Sequence, residues 1–360
     1  MSKEISVTED LIKRLEQYKI SRIYSSTNSI SKSAYWESHS KELTFDTKNT
    51  SVQISGNSGF YVPSKKDVLS RVWDKISKVV FSPRRILVFF KTQWFSLPKL
   101  FSFENAFDLV MSHSIVSDPD LSPYRVNHLE LSKNRNIFSR SKEVARHFNS
   151  WSNRAVAPHI YLHYYYLNLL KGYMKPGEVK RILEIGAGNG NFPSILFNDL
   201  QPVQYILVDL PEMVPISVSY LSSLFPKAKV ILPNEIGKKL PKEYDFLFLT
   251  TTMIKLIPDN YVDLSINCHS FQEMVSKQIS VYFDLVQRVT RKNGYFFTTN
   301  RIEKIPVEND AYTREQKEKP NRFFEFPWKK SNEILINEVS RFLRLVQLDA
   351  VGIRLERIRK

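Results

Sequence analysis

The sequence predicts an α/β protein built on a mostly parallel sheet, preceded by a mostly helical region of about 150 residues. Three observations carry that expectation. From residue 181 onward, short apolar runs alternate with longer helical patterns, as in strands joined by crossover helices. Glycine is scarce, ten in 360 residues, yet Gly186, Gly188 and Gly190 fall within five positions just after the first of these runs. Carboxylates also stand at the ends of two runs, as Glu184 and Asp209. In open parallel sheets, ligands bind outside the carboxyl ends of the strands.

The elements follow in chain order. Residues 1 to about 60 are rich in Ser, Thr, Asn and charge, with one short helix suggested by Leu11, Ile12, Leu15 and Ile20. Residues 64–112 suggest helices broken at Pro83 and Pro98, and Ser117-Asp-Pro-Asp-Leu-Ser-Pro reads as a turn. Ile160 to Met174 has helical spacing and ends near Gly172 and Pro176-Gly177. Strands are then expected at Arg181–Ile185, Tyr205–Asp209, Lys229–Leu232, Tyr244–Leu249, Val262–Cys268 and Tyr295–Thr299. Helices are expected over residues 190–200, from Pro211 to Phe225, and from about Phe271 to Arg291. Asn293-Gly294 reads as punctuation before the next strand, and Val351-Gly-Ile-Arg-Leu-Glu alternates with the period of two of a final strand.

Composition excludes several classes. With 42% apolar residues the chain can bury a large core, and runs such as Ile86 to Phe90 stop far short of a membrane span. The N-terminus lacks the apolar stretch of a secretory signal, which points to the cytoplasm. One cysteine, Cys268, rules out an internal disulfide framework and any multi-cysteine zinc site. His159 and His163 stand four apart without an accompanying Glu, so no metal is expected. The formal charge of +15 is concentrated in residues 62–100, which hold nine Lys/Arg against two Asp/Glu. A solvated basic face accounts for that stretch, and peripheral contact with an anionic membrane is the sharper reading. No helix-turn-helix, zinc-finger or RNA-recognition signature is present, so no specific nucleic acid is expected.

The chemistry centres on Leu183-Glu-Ile-Gly-Ala-Gly-Asn-Gly-Asn191. Glycine there lets the backbone turn tightly and approach a ligand. The dinucleotide fingerprint G-x-G-x-x-G fails at Asn191, and no Gly-Lys-Ser/Thr follows to make a phosphate loop. Asp209 closes the next strand, where a carboxylate can accept both hydroxyls of a ribose. A G-x-G-x-G loop with an acid before it and Asp at the next strand tip resembles the S-adenosylmethionine site of class I methyltransferases. That resemblance implies a Rossmann-like, mostly parallel seven-stranded sheet with helices on both faces over residues 151–360. It implies S-adenosyl-L-methionine as cofactor, held by Glu184, Gly186, Ala187, Gly188, Asn189, Gly190, Asp209 and Leu210, with Asn267 as a further contact. Residues 1–150 would be a helical cap that recognises the acceptor.

Two segments, Asp209-Leu-Pro-Glu212 and Asn267-Cys-His-Ser-Phe-Gln-Glu-Met274, narrow the likeness. They are similar to motifs of sugar O-methyltransferases of the NanM type, over roughly residues 155–300. The present chain departs from that group at Ala187 and Asn189. The resemblance implies a sugar or glycoconjugate acceptor, in surface polysaccharide or glycosylated-metabolite synthesis. A sugar hydroxyl needs a general base, and His269 with Glu273 are the titratable side chains just past the strand tip. The competing reading makes Ser270 and Glu273 a helix-capping box and His269 a packed residue. Tyr161, Tyr164, Tyr165 and Tyr166 read as core or as a sugar-stacking or cofactor-facing wall, and Asn300-Arg301 as a partner for an anionic substrate group. Methylation of RNA and a cofactor-binding scaffold without turnover are the alternative functions, and the sequence leaves oligomeric state open.

Overall fold

The structure is a computed structural model that describes residues 3–21, 44–48, 51–55, 158–175, 177–304, 320–340 and 351–360. The expected helices of residues 64–112, the basic stretch 62–100 and the turn at 117–123 lie outside the described residues. The chain divides into two compact units. One joins Met1–Gly59 to Tyr166–Lys360, and the other is Phe60–Tyr165, which falls mostly outside the described residues. Met1–Gly59 thus groups with the sheet-bearing unit.

Those first residues contain more strand than their composition suggests. β1 (Lys3–Ser6), helix α1 (Glu9–Lys19), β2 (Thr44–Lys48) and β3 (Ser51–Ser55) form an antiparallel sheet in the order β1-β3-β2 with one helix. The strands are four or five residues long and polar, with Phe45 and Val52 as their buried apolar contributions. So short a polar strand shows almost no period-two alternation. Helix α1 is the one expected: Thr8 accepts a hydrogen bond from the Leu11 amide at 3.3 Å, and Glu9 and Asp10 occupy its first turn.

The larger unit continues with α2 (Pro158–Lys171), β4 (Arg181–Ile185), α3 (Asn191–Leu200), β5 (Gln204–Asp209) and α4 (Val214–Leu224). Next come β6 (Val230–Ile231), β7 (Phe246–Thr250), β8 (Val262–Cys268), α5 (Ser276–Val289), β9 (Thr290–Arg301), β10 (Glu333–Ser340) and β11 (Val351–Arg357). They build one sheet in the order β10-β11-β9-β8-β4-β5-β7-β6. Neighbours pair in parallel from β9 to β6, while β11 runs antiparallel to both β9 and β10. This is a Rossmann-like, mostly parallel sheet, with eight strands where seven were expected. Two-residue β6 forms the edge beside β7.

Both faces are covered, which is why β4, β5, β7 and β8 read as continuous apolar runs. On one face Leu183, Ile185, Ile206, Val208 and Leu247 pack with Ile279, Phe283 and Val286 of α5. On the other, Tyr166 of α2 and Phe192 of α3 meet Phe297, and Phe197 lies tilted against Phe246 at 4.4 Å. Each fully buried Leu or Phe contributes roughly 1.5–3 kcal/mol over leaving it exposed.

Two boundaries differ from expectation for local reasons. Helix α5 starts at Ser276 rather than near Phe271, because Phe271–Glu273 form a single 3₁₀ turn that ends with the Met274 amide donating to the Phe271 carbonyl at 3.0 Å. Asn293-Gly294 does not precede β9 but lies within it. The β8 register skips from Thr290 to Tyr295, and the Asn293 amide pairs with the Ile358 carbonyl at 2.9 Å, so the expected break is a bulge.

Candidate active site

The carboxyl ends of β4, β5 and β8 lie side by side, and the sequence-derived site residues gather there. Ile185 pairs with Val208 on one side and Asn267 on the other, which aligns all three strand tips. Around them the core is almost completely buried. Gly186, Gly188, Asp209, Cys268, His269 and Ser270 keep partial exposure, so the tips form an accessible rim.

The loop after β4 is shaped by three glycines with positive φ: +72° at Gly186, +58° at Gly188 and +89° at Gly190. At Gly186 the choice is doubly enforced, because an added Cβ would stand 2.2 Å from Ser270 Oγ. At Gly188 a Cβ would meet nothing within 4 Å. The loop thus presents bare backbone to open space at Gly188, and a ligand can approach there closely. The Gly186 amide donates to the Val208 carbonyl at 2.8 Å, and the Gly190 amide to the Ala187 carbonyl at 3.1 Å.

Asp209 faces this loop. Its Oδ2 accepts from the Gly188 amide at 2.7 Å and its Oδ1 from the Leu210 amide at 2.7 Å. A carboxylate has about four acceptor positions, so each oxygen keeps a lone pair for a further donor. Burial pushes the Asp209 carboxyl up to about 7 against the pull of these two amides, with Glu212 adding repulsion. A pair of sugar hydroxyls is a donor set that suits such an acceptor. The residues present therefore fit an adenosine-bearing cofactor: a bare turn, and an acceptor carboxylate at the next strand tip.

Glu184 lies beneath the loop with 2% exposure, and its Oε2 accepts the Tyr205 hydroxyl. Burial raises its carboxyl to about 8, opposed by that hydrogen bond and reinforced by Asp209. The side chain therefore ties β4 to β5 just before the loop. Burial also raises the Cys268 thiol, helped by Glu184.

Asn267 is placed differently from its expected role as a cofactor contact. It is fully buried, and its Nδ2 donates to the Ile185 carbonyl at 2.9 Å and to Ser270 Oγ. Its Oδ1 accepts from Asn300 Nδ2 at 2.9 Å and from the Phe271 amide at 3.4 Å. Those four bonds use the whole capacity of an amide side chain. Asn267 is a brace that ties β4 to the turn after β8, and it has no bond left for a ligand. Asn189 is also turned inward, its Oδ1 accepting from the Asn191 amide at 3.1 Å, so what it offers the cleft is backbone. Ala187 and Leu210 are 9% and 8% exposed, which leaves each an edge on the rim.

His269 stands at the tip of β8 with φ +59°, an uncommon conformation for a non-glycine residue. Its amide donates to the Thr299 carbonyl at 2.7 Å. Its Nε2 lies 3.0 Å from the Tyr166 hydroxyl and 3.3 Å from Thr299 Oγ1, and Thr299 Oγ1 donates to the Tyr166 oxygen at 2.8 Å. Tyr166 is fully buried, as a core residue should be, yet its hydroxyl orients the imidazole. The side chains of Tyr161 and Tyr164 lie outside the described residues.

Glu273 takes neither expected role in full. It caps no α-helix, since Val275 is the N-cap of α5 and Ser270 Oγ donates instead to the Ile185 carbonyl at 3.2 Å. Its Oε1 accepts from Lys304 Nζ at 3.0 Å and from Gln272 Nε2 at 3.2 Å, in an ion pair whose side chains are 9% and 6% exposed. Asn300 is buried as part of the Asn267 brace, and its Oδ1 accepts from the Gln272 amide at 3.1 Å.

Sequence reasoning gave no site role to Tyr205 or Thr299, and it read Tyr166 as core or wall and Ser270 as a helix cap. Tyr205 carried a signal, because period-two alternation puts it on one face of β5 with Asp209. The other three act across strands or from α2, and their partners depend on register. Among the described residues no cluster of three His, Cys, Asp or Glu could hold a metal ion, and no helix is long and apolar enough to cross a membrane.

Comparison with known proteins yields no matching family model and no matching curated protein. Among solved structures, the chain is similar to the N-methyltransferase NodS from Bradyrhizobium japonicum in complex with S-adenosyl-L-homocysteine. Identity is 10% over 55% of this chain and 86% of that one, with a TM-score of 0.38. A SAM-dependent methyltransferase from Leishmania major matches at 12% identity over 52% of this chain and 69% of that chain, TM-score 0.38. A phosphoethanolamine N-methyltransferase from Haemonchus contortus matches at 15% identity over 54% and 52%, TM-score 0.35. At these identities and scores it is the strand order described above that carries the fold.

Proposed function

We propose that this chain is an S-adenosylmethionine-dependent methyltransferase that methylates a sugar hydroxyl with His269 as general base. The single observation that carries the cofactor reading is the Asp209 carboxylate bonded to the Gly188 amide, beside a turn with open space where a side chain would be. Gly186, Gly188 and Gly190 would receive the cofactor along bare backbone, and Asp209 would accept its ribose hydroxyls. Glu184, bonded to Tyr205, joins the two strands whose tips form the site. The bound cofactor supplies an electrophilic methyl group on a sulfonium, so the protein's main task is orientation.

His269 serves the acceptor. With its Nε2 beside the Tyr166 and Thr299 hydroxyls, the imidazole takes up the proton that the acceptor hydroxyl loses. Tyr166 and Thr299 hold the ring while this happens. Glu273, neutralised by Lys304, acts as structural support for the turn rather than as a second base. The sugar itself is supported by the likeness of residues 209–212 and 267–274 to sugar O-methyltransferases. Peripheral attachment to an anionic membrane through residues 62–100 belongs to the same reading.

Mass spectrometry of cell-surface glycans and soluble glycosides tests it, with and without the gene. The expected result is a product that loses about 14 mass units, one methylene, on deletion, as displacement on a methyl donor requires. Unchanged glycans together with a methylated RNA that disappears would overturn the sugar assignment.

A further inference from the structure

Tyr18 of helix α1 lies 193 residues before Pro211 in sequence, yet its buried side chain reaches the turn after β5. Leu11, Ile12, Leu15 and Tyr18 form its buried stripe, at the spacing of one helix face. Tyr18 is fully buried, and its hydroxyl donates to the Pro211 carbonyl at 3.1 Å. Pro211 is two residues past Asp209, in a turn closed by the Met213 amide donating to the Leu210 carbonyl at 2.9 Å. One turn earlier on the same face of the helix, Arg14 donates to both oxygens of Glu235 at 2.6 and 2.7 Å and to the Val230 carbonyl at 2.6 Å. The helix is therefore fixed at two points, at the β6 edge of the sheet and at the turn that carries the ribose-binding carboxylate.

We propose that Tyr18 is a positioning residue for the cofactor, acting through Pro211 on the Asp209 turn, so that the N-terminal segment completes the S-adenosylmethionine site. The inference rests on the cofactor reading above. Asp209 must hold its carboxylate where the Leu210 and Gly188 amides reach it, and the turn just beyond fixes that direction. The Pro211 carbonyl is buried beside Tyr18 and needs a donor. Without the tyrosine hydroxyl, the turn must move to find another donor or leave the carbonyl unsatisfied.

The test is calorimetric titration of the full-length chain with S-adenosylhomocysteine, in the wild type, Tyr18→Phe, Asp209→Ala and the double variant. Tyr18→Phe should weaken binding about three- to tenfold, the range of one lost hydrogen bond. In the Asp209→Ala background the same change should have almost no effect, because the group it positions is gone. Arg14→Ala loosens the same helix from outside the core and should weaken binding in the same direction, which covers the case of a poorly folding Tyr18→Phe. Wild-type affinity in both Tyr18→Phe and Arg14→Ala, or equal losses in both backgrounds, would overturn the proposal while leaving the cofactor reading intact. No binding by the wild type would overturn both.

Discussion

Two buried acids on one sheet have opposite surroundings. Glu356, on β11 at the antiparallel edge, is 1% exposed and pairs with Arg354 Nη2 at 2.6 Å, with Asn332 Nδ2 adding a bond at 2.8 Å. Arg354 in turn stacks over the Trp328 ring at 4.3 Å. Glu184, on β4 at the centre, is equally buried but has only the Tyr205 hydroxyl, and no described Lys or Arg pairs with it or with Asp209. The edge acid is compensated in full, as expected of a structural ion pair. The central acids carry no such counter-charge among the described residues, and burial raises both carboxyls, at a cost in stability.

The largest effect expected from this contrast is on rate. His269→Ala should slow methyl transfer to the sugar acceptor by roughly 10²–10⁴ while leaving cofactor affinity unchanged. Labelled methyl groups transferred to an extracted glycan pool measure it, and full activity would assign the base elsewhere.

The two acids themselves should respond with opposite signs. Glu356→Gln strands Arg354 and should destabilise the fold by about 3 kcal/mol. For Glu184 the folded carboxyl sits at about 8 against an ordinary 4.5. Between those values the folded chain binds more protons than the unfolded one, so the strain of burying Glu184 is absent below the lower value and complete above the upper one. Stability should fall as pH rises through that window. Glu184→Gln should make the slope shallower, leaving the share of Asp209, and be more stable than wild type at pH 8, by roughly 2–4 kcal/mol. Denaturant midpoints measured from pH 5 to 8 check both variants, and a Glu184→Gln curve parallel to wild type would break the comparison.

A smaller contrast lies within the glycine loop. Gly186→Ala meets both a left-handed φ and Ser270, and should lose about 1–3 kcal/mol of stability from conformation alone, with the clash added to it. Gly188→Ala meets only the left-handed φ, costing about 1–2 kcal/mol. Its methyl group would enter the cleft, so its loss of cofactor affinity should exceed what its stability explains. Melting with and without S-adenosylhomocysteine separates the two.

Much of the site was readable from spacing, and the reasons differ by residue. The glycines and Asp209 are adjacent to strand ends, so a strand pattern places them at one edge of a parallel sheet without any knowledge of pairing. Asn267 was misread because its four bonds reach across to Ile185 and Asn300, on strands whose register the sequence does not state. Glu273 was offered to His269 by proximity in sequence, whereas Lys304, thirty-one positions away, holds it. The bulge at Asn293-Gly294 carried a correct turn signal attached to the wrong structure. In the first 59 residues, polar strands of four or five residues carry too little pattern to be seen at all. Tyr18 lies on the expected helix, and its contact with Pro211 is a tertiary pairing that helical spacing does not state.

The most direct measurement is a calorimetric titration of the whole chain and its Asp209→Ala variant with S-adenosylmethionine. The wild type should bind one equivalent, and the variant should bind more weakly by about 1–3 kcal/mol, the worth of charge-assisted hydrogen bonds to the ribose. Equal affinities, or no heat from the wild type at all, would contradict the assignment of this cleft.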